Sequence, residues 1–87
     1  MEIWIRDNLK SNMTFKTWIM RYKNKDNPMG DLARDIADDR DFPDSTDMAE
    51  VGLYLMGKHP CLDCVRVFRT ASKQYMTWLM KEIFGDA

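Results

Sequence analysis

The sequence predicts an all-α fold, a compact bundle of four main helices with an apolar extension at each end. Apolar residues recur at helical spacing in successive stretches, as in Phe15, Trp18, Ile19 and Tyr22. Residues with capping side chains stand ahead of those stretches, and nothing shows the strict apolar–polar alternation of a half-buried strand. The 87 residues suit a single domain over 1–87, in which folding buries roughly 60% of the surface the unfolded chain exposes. With 45% apolar and 31% charged residues, the composition is that of a folded domain and not of a disordered chain.

Residues 1–12 open with Ile3, Trp4, Ile5 and Leu9, too short and irregular a pattern for periodicity to decide between helix and strand. Asn8, Ser11 and Asn12 mark a turn, and Thr14 stands at the N-cap position of a first helix. Its core face is Phe15, Trp18, Ile19 and Tyr22, with Lys16, Thr17, Arg21 and Lys23 pointing away. The polar stretch from Lys23 to Asn27 ends it. Asn27 before Pro28 then opens a second helix, because proline at the first helical position gives up no hydrogen bond.

In the second helix Met29, Leu32, Ala33, Ile36 and Ala37 form the expected buried stripe, while Asp31, Arg34, Asp35, Asp38 and Asp39 lie outside or at its margins. Pairs of Arg34 with Asp31 or Asp38 contribute only about 0.2–0.5 kcal/mol each. Pro43 keeps Phe42 out of helical geometry and the aspartates oppose the helix dipole, so this helix should stop near Arg40. Ser45, Thr46 or Asp47 can cap a third helix, with Glu50 spaced to reach back to Asp47. Met48, Val51, Leu53, Tyr54, Leu55 and Met56 surround that helix almost completely, which predicts a short central element buried between neighbours and closed by Gly57.

Pro60 opens the longest periodic stretch, through Cys61, Cys64, Val65, Phe68, Ala71, Ser72, Tyr75, Trp78 and Leu79, and on to Phe84. Beyond Tyr75 the residues Met76, Trp78, Leu79, Met80, Ile83 and Phe84 widen the apolar surface past what one partner helix covers. Coverage by Ile3 to Leu9 is the first expectation. A homodimer or partner surface formed by the apolar termini is the alternative.

Charge is uneven along a chain whose net value is −1: residues 31–50 hold eight acids against Arg34 and Arg40, whereas both flanks are basic. No apolar run approaches the ~20 residues of a bilayer span, and MEIWIRDNLK carries charges where a signal peptide is apolar. Two cysteines three residues apart make no disulfide framework. The expected setting is therefore cytoplasmic, with no membrane partner.

Three candidate surfaces follow. Asp35, Asp38, Asp39, Asp41, Asp44 and Asp47 form an acidic interaction surface. Arg66, Arg69 and Lys73, at i, i+3 and i+7, form a basic ridge that could line phosphates, extended by Lys16, Arg21, Lys23 and Lys25 if the first helix lies alongside. Trp78, Met80, Ile83 and Phe84 form an apolar partner surface. The segment HPCLDC offers His59, Cys61, Cys64 and Asp63, but the chain has no further His or Cys to complete a zinc site, and the cysteines read as small apolar core residues. A thioredoxin-type motif would need a βαβ setting, and a zinc-deaminase reading would need an upstream His-x-Glu. DDRDFPDSTD lacks the mid-loop glycine of a calcium loop. No metal, cofactor or catalytic residue is assigned, for want of a nucleophile, base and oxyanion-site constellation.

TFKTWIM (Thr14 to Met20), GDLARDIADDRDFP (Gly30 to Pro43) and Val51 to Leu55, with Phe68, Ala71 and Tyr75, resemble the segments of the YozE family of small bacterial proteins. The resemblance covers about residues 14–75, leaves 1–13 and 76–87 as extensions, and departs at Ser72, where the family pattern has a tryptophan. It implies a SAM-like fold, which commonly serves in protein interaction or nucleic-acid binding. The functional expectation is a non-enzymatic protein-interaction module of unknown partner, with a nucleic-acid-binding module using the basic ridge as the alternative.

Overall fold

The computed structural model describes residues 13–85. The apolar start, and with it the expectation that it covers the end of the fourth helix, lies outside the described residues. The chain forms α1 (Phe15–Ile19, continued by a 3-10 turn over Met20–Tyr22), α2 (Pro28–Asp38), α3 (Met48–Gly57) and α4 (Leu62–Phe84), with no strand among the described residues. It is an all-α bundle of four helices.

α1 begins where the Thr14 hydroxyl accepts the Thr17 amide at 3.2 Å, and it buries Phe15, Trp18 and Ile19. It tightens into the 3-10 turn and stops in a polar corner, where the Lys25 amide donates to the Tyr22 carbonyl at 2.9 Å. α2 starts on Asn27, whose side-chain oxygen accepts the Gly30 amide at 2.9 Å, with Pro28 in the first turn. Gly30 is buried because it packs on that corner: a Cβ there would lie 1.9 Å from the Lys25 carbonyl oxygen. Arg34, one turn on, donates to the carbonyls of Lys23 at 2.9 Å and Lys25 at 3.1 Å and pairs with Asp31. The arginine that looked like a minor surface partner thus ties α2 to the end of α1.

α2 buries Leu32, Ala33 and Ile36, but Met29 is half-buried and Ala37 exposed, so the stripe is narrower than expected. The helix ends at Asp38, with Asp39 already extended, close to the predicted stop. Phe42, expected only to mark that stop, is buried beside Phe15 and Tyr54 at ring separations of 6.4 and 5.5 Å. The loop it anchors returns to α1: the Phe15 amide donates to the Ser45 carbonyl at 3.2 Å, and the Thr14 hydroxyl meets Asp44.

α3 is capped by Asp47, which accepts the Ala49 amide at 3.0 Å. The reciprocal half of the expected capping box is made by another residue, since the Asp47 amide donates to the Ser45 hydroxyl at 2.9 Å. The expectation of a buried, central α3 is corrected by the structure: only Val51 is buried, and Leu53 and Met56 are 76% and 42% exposed. A helix of ten residues is only ~15 Å long, and this one docks on one side through Val51 and Tyr54, leaving its opposite apolar face uncovered. The left-handed residue after it is His59, at φ 54°, and not Gly57.

α4 supplies Phe68, Ala71, Tyr75 and Leu79 to the core. Its 23 residues span ~35 Å against ~16 Å for the 11 of α2, so it outreaches α2, and its residues after Leu79 are exposed. The core is centred on Phe15, whose ring lies within 6.4 Å of Trp18, Phe42, Phe68 and Tyr75. The Tyr75 hydroxyl donates to the Met13 carbonyl at 2.9 Å, and burial raises its pKa. No described helix is long and apolar enough to cross a membrane.

Candidate functional site

The exposed side of α3 and the neighbouring face of α4 enclose an open groove of about 1010 Å³. Met48, Leu53, Met56 and Met76 supply its flexible apolar walls, Phe68 its floor, and Arg69 and Lys73 its charged rim. The groove follows from helix placement: Val51 anchors α3 while Leu53 and Met56, two and five residues on, turn away from the core. Ser72 also lines it, at the position where the family resemblance implies a tryptophan. A small side chain there leaves open the space an indole would occupy.

Residues Met76, Met80 and Ile83 recur at i, i+4 and i+7 on α4, so the groove face continues along the overhanging end of the helix. Of the expected apolar surface, Met80, Ile83 and Phe84 are exposed, Phe84 by 68%. Trp78 is half-buried: it stacks on Tyr75 at 6.1 Å, and the Arg21 guanidinium lies 5.5 Å from its ring and 5.2 Å from that of Trp18. Arg21 is exposed and lies against both indoles. Arg66, Arg69 and Lys73 are all exposed, and Arg66 lies 3.9 Å from Asp63.

The six aspartates divide. Asp47 caps α3 and Asp44 meets Thr14, so both act within the fold. Asp39 is half-buried and accepts the Tyr54 hydroxyl at 2.7 Å and the Asp41 amide at 3.1 Å, with the Lys58 ammonium at 3.4 Å. The Tyr54 hydrogen bond first, then those of the Asp41 amide and Lys58, hold its carboxyl below the usual carboxylate range against the opposing effect of desolvation. The same Tyr54 oxygen and Asp39 raise the Lys58 ammonium. Asp35, Asp38 and Asp41 remain exposed. The acidic segment is thus in large part a strap that joins α2, α3 and α1.

Cys61 and Cys64 are exposed thiols, which corrects the expectation that they pack in the core. The first turn of α4 faces the start of α2 across a shallow pocket lined by Pro28, Asp31, Asp35, Asp63 and Cys64, and the core side of α4 begins at Val67 and Phe68. Among the described residues no three His, Cys, Asp or Glu side chains converge to hold a metal ion. Sequence reasoning missed Leu53 and Met56 as site residues because an apolar helix surface reads as buried until its neighbours are placed.

Comparison with known protein families matches the chain to the YozE SAM-like fold over residues 14–77. No curated protein and no solved structure matches the chain significantly.

Proposed function

The chain belongs to the YozE SAM-like family, and from that premise we propose that it is a non-enzymatic protein-interaction module that docks its partner on the α3–α4 groove and the adjoining face of α4. The observation that carries this reading is the groove itself, with Leu53 and Met56 open to solvent on a helix that could have buried them. Methionine walls adapt to different apolar shapes. Arg69 and Lys73 on the rim select for carboxylates beside the apolar residues, so the partner chemistry is an amphipathic helix with an acidic margin. The open apolar lining favours binding over catalysis. The setting is a bacterial cytoplasm, as the family resemblance and the lack of a disulfide framework imply.

Photo-crosslinking in the native host tests this. A benzophenone amino acid at position 53 should give a discrete protein adduct that disappears with Met56→Glu, while the same probe at position 38, in the acidic segment, should not. Adducts at 38 alone would move the interface to the aspartates, and adducts between two copies would make the face a homodimer surface.

The exposure of Arg66, Arg69 and Lys73 on one ridge supports nucleic-acid binding as the second reading. It requires a gel shift that weakens steeply with salt and is lost in the Arg66→Glu, Arg69→Glu double variant. Absence of a shift at low salt removes it.

A further inference from the structure

The cysteine pair at the start of α4 is unused by the docking surface. Cys61 is the N-cap of that helix, and its sulfur accepts the Cys64 amide at 3.4 Å. The two sulfurs lie 3.1 Å apart, and both residues are exposed. A disulfide needs a sulfur separation near 2.05 Å, so closing this pair takes about 1 Å of side-chain rotation with the helix start in place. The strand–helix context of the familiar oxidoreductases is not required for that step. What is required is a thiol at a helix N-terminus with a second thiol one turn away, and the start of α4 supplies both.

We propose that Cys61 and Cys64 are a dithiol modification site that low-molecular-weight disulfides convert to an intramolecular disulfide. The Cys61 thiolate attacks one sulfur of the oxidant RSSR, forming a Cys61–SR mixed disulfide and expelling RS⁻. The Cys64 thiol loses its proton and attacks the Cys61 sulfur, expelling the second RS⁻. The protein loses two electrons and two protons, and the oxidant leaves as two RSH. The order is set by the surroundings: the Cys64 thiol and amide, hydrogen-bonded to Cys61, lower the Cys61 pKa, while the same contact and burial raise that of Cys64.

The test uses the full reduced chain with oxidised glutathione at pH 7, quenched by acid and alkylated, then read by intact and peptide mass. The expected product is an internal disulfide, 2 Da lighter than the dithiol and closed to alkylation. Cys64→Ser should stop at one glutathione on Cys61, and Cys61→Ser should react severalfold more slowly. In the wild-type chain, brief alkylation mapped by peptide mass should label Cys61 before Cys64, a readout that needs no variant. A wild-type chain that ends as glutathione adducts or as disulfide-linked dimers overturns the proposal, and so does equal or faster labelling of Cys64. Because no outcome depends on groove binding, loss of the docking reading leaves this result intact.

Discussion

One methyl group at position 30 would meet backbone on two sides of the corner between α1 and α2, at the Lys25 and Tyr22 carbonyl oxygens. Backbone cannot rotate aside as a side chain can, so Gly30→Ala is expected to cost about 2–3 kcal/mol, read as a shift in the denaturant midpoint. An unchanged midpoint would mean that the corner has slack. Asp39 gives the residue-scale prediction for pH. Its carboxyl is held below its unfolded value by Tyr54, the Asp41 amide and Lys58. The contribution is therefore complete above the unfolded carboxyl pKa of about 4 and is lost as pH falls through the lower folded value. Asp39→Asn should lower the melting temperature at pH 7 and narrow its gap to the wild type as the pH drops from about 5 to about 2. A gap that stays constant over that range would contradict the assignment.

At the scale of the element, α3 is the helix that sequence and structure describe differently. Its N-cap is legible because Asp47 acts on an amide two residues away. Its burial is not, because apolar residues all round a helix do not say which side has a neighbour. The structure leaves α3 held by Val51, by Tyr54 against Phe42, and by the Tyr54–Asp39 hydrogen bond. Val51→Ala should cost about 2 kcal/mol, and amide exchange should show α3 opening before α4. Equal protection of the two helices would refute the picture of a one-sided dock. α4 behaves in the opposite sense: its core stripe was readable through Phe68, Ala71, Tyr75 and Leu79, while only its placement shows that the cysteines and the methionines Met76 and Met80 are exposed.

At the scale of the molecule, Phe15 joins distant parts of the chain, packing on rings from α1, the loop after α2, and α4. Phe15→Ala is expected to remove about 3–5 kcal/mol from a total that for a domain is about 5–15, enough to bring a chain of this size near its unfolding threshold at 37 °C. Tyr75→Phe, which keeps the ring and loses only the bond to the Met13 carbonyl, should cost about 0.5–1.5 kcal/mol by the same denaturant measurement. Ser72→Trp should fill the groove, leave the melting temperature at or above that of the wild type, and abolish the position-53 adduct. If the adduct persists, the groove is not the docking site.

The sequence by itself determined the helical class, the caps at Thr14 and Asn27, the cap of α3 to within Ser45, Thr46 or Asp47, the approximate helix ends, and the aromatic face of α1, because those features arise from contacts within about one turn of chain. The family-like segment from Gly30 to Pro43 was also recognisable as a unit, though not for its physical reason. Only the tertiary structure decided that Gly30 and Arg34 grip the α1 corner, that Phe42 is core and that Asp39 anchors Tyr54. It alone decided that one apolar side of α3 faces solvent and that the cysteine pair is exposed. Burial depends on which neighbours are present and how far each helix outreaches them, and a ~35 Å helix packed on a ~16 Å one must leave its ends bare unless other chain covers them.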